Sequence, residues 1–306
     1  MNDIGKVTDE LVRAIGEVLI GKEHEIRLAL ACLFARGHLL IEDLPGMGKT
    51  TLAHSLAAVL GLSYKRIQFT SDLLPADIVG VSVYDRDRGR FEFHPGPVFC
   101  QLVLADEINR TSPKTQSALL EAMSEGQVSV EGQTRPLPQP FFVIATQNPA
   151  SQSGTFPLPE SQQDRFLMRI RLGYPDPAAE RQLLAGADPR LKLKSLAPRV
   201  MPEVLGAIQA QVTQVRASES LVDYLQRLLQ ESRSMPGVET GISPRGGLAL
   251  LQSARAWALM DGRQYVIPED VQACFEPVCG HRLTGVANEL EAASLIQRML
   301  DTVDII

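Results

Sequence analysis

The stretch Glu42-Asp43-Leu44-Pro45-Gly46-Met47-Gly48-Lys49-Thr50-Thr51 constrains what this chain can fold into more than any other. An apolar run at 38–41 leads into it, and Leu52, Leu56, Val59 and Leu60 follow at helical spacing, so the segment reads as strand, phosphate loop and helix. Backbone N–H groups of such a loop converge on one point with the positive end of a helix dipole behind them, a field that fits a triphosphate. Gly46 and Gly48 let the backbone approach closely, within a binding stretch of Pro45, Gly46, Met47, Gly48, Lys49, Thr50 and Thr51. The Lys49 amine would reach the β- and γ-phosphates, and the Thr50 hydroxyl a magnesium ion (Mg2+) whose other ligands are mostly water and phosphate oxygen. One position departs from G-x-x-x-x-G-K-[ST]: Asp43 stands where the first glycine belongs, which puts the tight turn into the loop in question. A glycine-rich turn that merely precedes a helix is the plainer alternative, and the flanking strand and helix weigh against it.

Composition sets the outer bounds. With 306 residues, 44% hydrophobic and 22% charged, the chain reads as a soluble globular protein of about two domains. Its amphipathic N-terminus carries both signs of charge, and no apolar run approaches the roughly twenty residues that span a bilayer, so no membrane span and a cytoplasmic location are the default expectations. Cys32, Cys100, Cys274 and Cys279 lie in apolar or helical contexts, and Cys274 and Cys279 lack the paired Cys or His of a zinc site. They read as reduced thiols. A formal net charge of −6 without a long Lys/Arg run opposes non-specific nucleic-acid binding.

In chain order, Val7, Leu11, Ile15, Val18 and Leu19 and then residues 26–34 predict two helices joined by a turn at Ile20-Gly21-Lys22. After the phosphate loop the helix stops at Gly61, suited to a left-handed C′ position, and residues 64–69 predict a strand. An insert at about 73–98 reads as a β-hairpin, with Val81/Val83 and Phe91/Phe93 alternating on either side of Asp85-Arg86-Asp87-Arg88-Gly89. Residues 102–105 then run as a buried strand directly into Asp106-Glu107. Ligands of open α/β sheets bind at the C-terminal ends of strands, where the phosphate loop also lies. Asp106 therefore reads as the magnesium-side carboxylate of a Walker B motif, and Glu107 as the group that polarises an attacking water. A solvated strand end would show the same acidic pair; the preceding phosphate loop favours the functional reading. Ser112 as N-cap, Pro113 at N1 and Gly126 past the end bound a helix whose Leu119, Leu120 and Met123 read as packing. A second hairpin falls at about 127–137 with Glu131-Gly132 near its turn, and a buried strand at 141–145 ends in Thr146-Gln147-Asn148-Pro149. Asn148 is placed either to bond a lytic water and the γ-phosphate or simply to turn the chain before proline. A last short strand is expected at 167–172, and from Tyr174 onward the pattern is helix after helix.

This order of motifs resembles the MoxR family of AAA+ ATPases. The resemblance covers nearly the whole chain and rests on EDLPGMGKTT, LVLADEINR with TSPKTQSALLEAM, EGQVSVEG, FFVIATQNP, LPESQQDRFLMRI and SPRGGLALLQSARAWALMDGR. It implies an α/β fold: a P-loop αβα core with a five-stranded parallel sheet and two β-hairpin inserts (1–174), followed by an all-α lid (175–306). It implies hydrolysis of ATP with Mg2+ at the subunit interfaces of a ring, usually a hexamer. By motif match Asn148 resembles sensor 1, and Arg165 in the DRF phrase an arginine finger inserted into a neighbour's site, where a planar fork suits a phosphoryl transition state. A surface ion pair is the plainer reading of Arg165. Arg245 matches sensor 2; it sits in the first turn of a third lid helix, where a cation opposes the helix dipole unless an anion docks there. Ile20-Gly21 resembles the segment lining an adenine pocket. The family also implies a client protein and commonly a von Willebrand factor A domain partner, with chaperone-like maturation or metal insertion as the task.

Two competitors follow from the same residues. A nucleic-acid-remodelling motor of the helix-2-insert clade would need basic hairpin tips, and the tips read Asp85-Arg86-Asp87-Arg88 and Glu131-Gly132-Gln133. An ATP-binding scaffold with little turnover would not need Lys49, Asp106, Glu107, Asn148 and Arg165 together. A GTPase is weaker still, since no N-K-x-D phrase occurs.

Overall fold

The computed structural model describes residues 4–148, 156, 158–186, 189–285 and 289–305. The chain begins with α1 (Ile4–Gly16) and α2 (Glu23–Phe34), followed by β1 (Leu39–Glu42), α3 (Lys49–Val59) and β2 (Tyr64–Gln68). A short α4 (Pro75–Val79) opens the insert, whose hairpin is β3 (Gly80–Asp85) with β4 (Arg90–Pro95). Then come β5 (Leu102–Asp106), α5 (Pro113–Glu125), the second hairpin of β6 (Gln127–Val130) and β7 (Gln133–Pro136), β8 (Phe142–Gln147), α6 (Glu160–Gln163) and β9 (Met168–Ile170). Among the described residues seven helices follow: α7 (Pro177–Leu184), α8 (Pro189–Ser195), α9 (Pro202–Val212), α10 (Glu219–Ser234), α11 (Pro244–Met260), α12 (Pro268–Cys279) and α13 (Glu289–Thr302). Arg245 thus stands in the fifth helix after Tyr174, not the third, because α7 and α8 are short and α7 buries only Ala179, too little to leave a periodic signal.

Five strands form one parallel sheet in the order β2-β5-β8-β1-β9. β5 and β8 are buried throughout, as central strands of a doubly covered sheet must be. Alternate residues supply two apolar clusters, one on each face: Leu102 and Leu104 join α1, α2 and α3, while Val103 and Ala105 join α5 and the insert. The first of these clusters continues without a break into α9, α10, α11 and α12, so the helical part is packed onto the core and not merely tethered to it.

Local chemistry sets the element ends. The Ser112 hydroxyl accepts from the Thr115 N–H at 3.4 Å, Pro113 takes N1, and Gly126 closes α5 in the left-handed region at φ 62°. Glu131 (φ 52°) and Gly132 (φ 75°) form the two-residue turn with both angles positive that matches strand twist in a tight hairpin. In the first hairpin Tyr84 stands opposite Phe91 and the rings meet edge to face at 5.2 Å. All four cysteines are buried and free. Among the described residues no helix is long and apolar enough to cross a membrane.

Candidate active site

The phosphate loop leaves the C-terminal end of β1, with β8 on one side and β9 on the other. Gly46 (φ 88°) and Gly48 (φ 94°) both take left-handed backbone angles that a side chain would resist. A Cβ on Gly48 would lie 2.7 Å from Leu19 Cδ1, so the segment before α2 is seated against the loop. Gly21 (φ 73°) in turn meets Asp176 and Ala179 at the start of α7. Ile20 and Gly21 therefore lie between the phosphate loop and the first helix after the sheet.

Asp43 resolves the question its identity raised. It does not have a positive φ, which among the described non-glycine residues is confined to Arg36, Glu107 and Glu131. Asp43 is 8% exposed, and its carboxylate ties the loop to the segment after β9: Oδ2 accepts from the N–H groups of Leu172 (2.8 Å) and Gly173 (2.6 Å), and Oδ1 from that of Leu44 (2.8 Å). The glycine of the usual pattern is replaced by an anchor. Lys49 Nζ donates to the carbonyls of Asp43 (2.5 Å) and Leu44 (3.2 Å), within the loop itself. Desolvation pulls the Lys49 pKa down against the opposing fields of Asp43, Asp106 and Glu107. A buried ammonium whose hydrogen bonds go to carbonyls fits a site completed by an anion.

The acidic pair ends β5 one strand over from Asn148, which follows β8. One hydroxyl fixes both acids: Thr146 Oγ1 donates to Asp106 Oδ1 (2.6 Å) and accepts from the Glu107 N–H (2.9 Å). Glu107 is held in the left-handed region at φ 58°, a conformation that costs a side-chain-bearing residue free energy and turns the carboxylate away from the strand direction. Asn148 Nδ2 donates to its Oε1 (2.9 Å), Gln68 Nε2 to its Oε2 (2.9 Å), and Arg110 Nε lies 3.2 Å from Oε2. The Asn148 carbonyl is itself held by Asn109 Nδ2 at 3.0 Å. Arg66 reaches Asp106 Oδ2 from β2 with Nε at 3.1 Å and Nη2 at 2.5 Å. Oδ2 thus takes two donors while Oδ1 takes only Thr146 and keeps a second lone pair, which suits a hydrogen bond to metal-bound water better than direct ligation.

Arg165 and Arg245 are elsewhere. The Leu167 N–H donates to the His38 carbonyl immediately before β1, so the segment carrying Arg165 lies where the parallel strands begin. The four residues of β1 separate that edge from the phosphate loop by roughly 13 Å at 3.3 Å per residue. Arg165 folds back on α5 of its own chain, donating to the Leu120 carbonyl (3.0 Å) and to the Ser124 hydroxyl. Arg245 is with it: its Nη1 lies 3.3 Å from Asp164 Oδ2. The anion that balances this cation at the start of α11 is thus a carboxylate of the same chain. Pro149, the end of the FFVIATQNP phrase, lies outside the described residues.

A family model described as "ATPase family associated with various cellular activities (AAA)" matches residues 38–168, and one for an AAA lid domain matches 230–299. The chain is 39% identical to Chaperone MoxR1 of Mycobacterium tuberculosis over 96% of its own length and 81% of that protein's. The chain belongs to the MoxR family of AAA+ ATPases. It is also 47% identical to the uncharacterized protein YeaC of Bacillus subtilis, over 92% of this chain and 88% of that one. A crystal structure of a candidate ATPase from Cytophaga hutchinsonii superposes with a TM-score of 0.87 at 35% identity, covering 98% of this chain and 95% of the other.

Four polar residues of this MoxR-family site carry no signal in the sequence. Thr146 lies inside FFVIATQNP and Arg110 ends LVLADEINR, and neither residue type marks a role there. Arg66 and Gln68 occupy alternate positions of an edge strand, and the register that sets Gln68 opposite Asp106 is what delivers them to the acidic pair. An Arg-x-Gln at the end of a strand carries no such signal by itself.

Proposed function

We propose that the chain hydrolyses ATP to ADP and phosphate with Mg2+, and that it does so between subunits. The observation that carries this is the convergence of Lys49, Asp106, Glu107 and Asn148 on one sheet edge, with Arg165 and Arg245 on the opposite edge. In this reading the loop amides and Lys49 bind the phosphates, and Glu107, oriented by Asn148 and Gln68, takes up the proton of the attacking water. Thr50 and Asp106 would hold the metal, which neutralises charge on the phosphate oxygens when bound. Ile20 and Gly21 would line the adenine pocket beside the loop. Arg165 and Arg245, too far along the strands to serve their own loop, would act in a neighbour's site, which makes a closed ring, a hexamer by family, the working form. The boundary between core and lid is placed at 174/175, and the setting as cytoplasmic.

Chaperone-like remodelling of a client, with a von Willebrand factor A domain partner and maturation or metal insertion as the task, completes the reading. The name of the Mycobacterium tuberculosis relative supports the chaperone part alone; the partner and the task rest on the family resemblance. A nucleic-acid motor is disfavoured by the hairpins, where Arg88 pairs with Asp85 and Glu92, and Arg135 stacks over Phe93 at 4.0 Å.

The test is turnover against binding. Glu107→Gln is expected to bind ATP with near wild-type affinity and lose most turnover, whereas Lys49→Ala loses binding. Arg165→Ala should keep affinity and lose about 10³-fold or more in turnover. Mixed with Glu107→Gln subunits it should regain activity, since some interfaces then pair an intact Glu107 with an intact Arg165. Mixed rings that stay at the mutants' baseline would refute action across the interface.

A further inference from the structure

Arg282, which follows α12 in the lid, is 6% exposed at its side chain, yet every polar contact of its guanidinium lies near the core segment that carries Arg165 or at the end of α12. Nε donates to Asp164 Oδ1 at 2.8 Å. Nη2 donates to the carbonyls of Phe166 (2.8 Å) and Asp164 (3.3 Å), and Nη1 to the carbonyls of Leu167 (3.2 Å) and Val278 and toward His281 Nε2 (2.8 Å). A planar fork with five N–H donors can hold a backbone turn on several sides at once, which a lysine cannot do. Three of these carbonyls, those of Asp164, Phe166 and Leu167, flank Arg165 in the chain. The Arg165 side chain itself points the other way, to α5. Asp164 also takes Arg245 through its second oxygen, so one carboxylate joins the start of α11, the end of α12 and the turn that presents Arg165.

We propose that Arg282 is a positioning residue for Arg165, and that the Arg282–Asp164–Arg245 cluster makes the lid and the turn bearing Arg165 a single mechanical unit. This rests on the reading of Arg165 as acting in a neighbour's site. Its consequence is directional: a lid displacement in one subunit moves the cation engaged at the next subunit's phosphates. A second copy of this chain is therefore the partner on which the cluster acts.

The experiment uses the full chain assembled with ATP, comparing wild type with Arg282→Lys, Asp164→Asn, Arg165→Ala and the two double variants that contain Arg165→Ala. Displacing a positioned group by about 1 Å costs roughly 10²-fold in turnover. Arg282→Lys is therefore expected to lower kcat by about that factor and Asp164→Asn by about tenfold, each with affinity for a fluorescent ATP analogue within about threefold of wild type. In the Arg165→Ala background Arg282→Lys should lower kcat no further, because it acts through Arg165, and the loss from Asp164→Asn should shrink to the part that passes through Arg245. Arg282→Lys subunits mixed with Glu107→Gln subunits should regain activity, placing the defect on the side of the interface that donates Arg165. Losses that multiply with Arg165→Ala, or mixed rings that stay inactive, would overturn the proposal. An Arg165→Ala protein with wild-type turnover would instead overturn the interface reading beneath it. Should Arg282→Lys not fold, Asp164→Asn, whose side chain is 27% exposed, carries the same test.

Discussion

Removing the Asp43 carboxylate should both destabilise the protein and loosen the phosphate loop. In Asp43→Ala the N–H groups of Leu172 and Gly173 lose their acceptor, and Leu172 is only 2% exposed. An orphaned buried donor costs about 1–3 kcal/mol, while the Leu44 N–H, on an exposed residue, passes to water at little cost. The sum is a loss of about 2–4 kcal/mol. Asp43→Asn keeps one acceptor oxygen and should lose roughly half as much. Asp43→Gly restores the usual pattern but not the anchor, and adds about 0.5–1 kcal/mol of backbone entropy on folding, so it should be the least stable of the three. Urea titration followed by far-UV circular dichroism and by the fluorescence of Trp257, the one tryptophan, measures this directly. ATP-analogue affinity should fall about tenfold, since binding must then order the loop. A stability change below about 1 kcal/mol in Asp43→Ala, or an Asp43→Gly protein as stable as wild type, would refute the anchor.

Acid should weaken the fold through His38. Burial lowers its pKa from 6.5 to about 4, against the opposing effect of its bond to the Met123 carbonyl. Between those values the unfolded chain takes up a proton that the folded one cannot, so up to about 3 kcal/mol present above pH 6.5 is lost as pH falls towards 4. Denaturation at stepped pH should show a shallower slope in His38→Asn. Gly48→Ala combines a φ of 94° with a Cβ close to Leu19, at a conformational cost of about 1–2 kcal/mol, and should cut nucleotide affinity at least tenfold by calorimetry while the fold persists. Gly96→Ala places a Cβ against the Ile78 carbonyl and the Gly80 nitrogen at the base of the first hairpin. Trypsin should then cleave faster at Arg86, Arg88 or Arg90, as mass spectrometry of the fragments would show.

What depends on contiguous residues is legible in the chain without its fold. The strand, loop and helix around Lys49, the acids at the end of β5, Asn148 past β8, the caps of α5 and the tight turn at Glu131-Gly132 are each written in a run of ten or so residues, because backbone hydrogen bonding and side-chain period act over that range. Family motifs extended this to the five-stranded core and the helical lid. Tertiary structure decided what depends on register and on distant backbone. Only the pairing of Gln68 with Asp106 brings an edge strand's Arg66 and Gln68 to Asp106 and Glu107. Only the end of β9 explains why an aspartate stands at position 43. The first-turn cation at Arg245 finds its counter-charge in Asp164, 81 positions earlier, and Arg282 grips a turn more than a hundred residues before it. Such bonds leave no local period, since a buried charge is matched by whatever donor or acceptor packing delivers to it, at any separation along the chain.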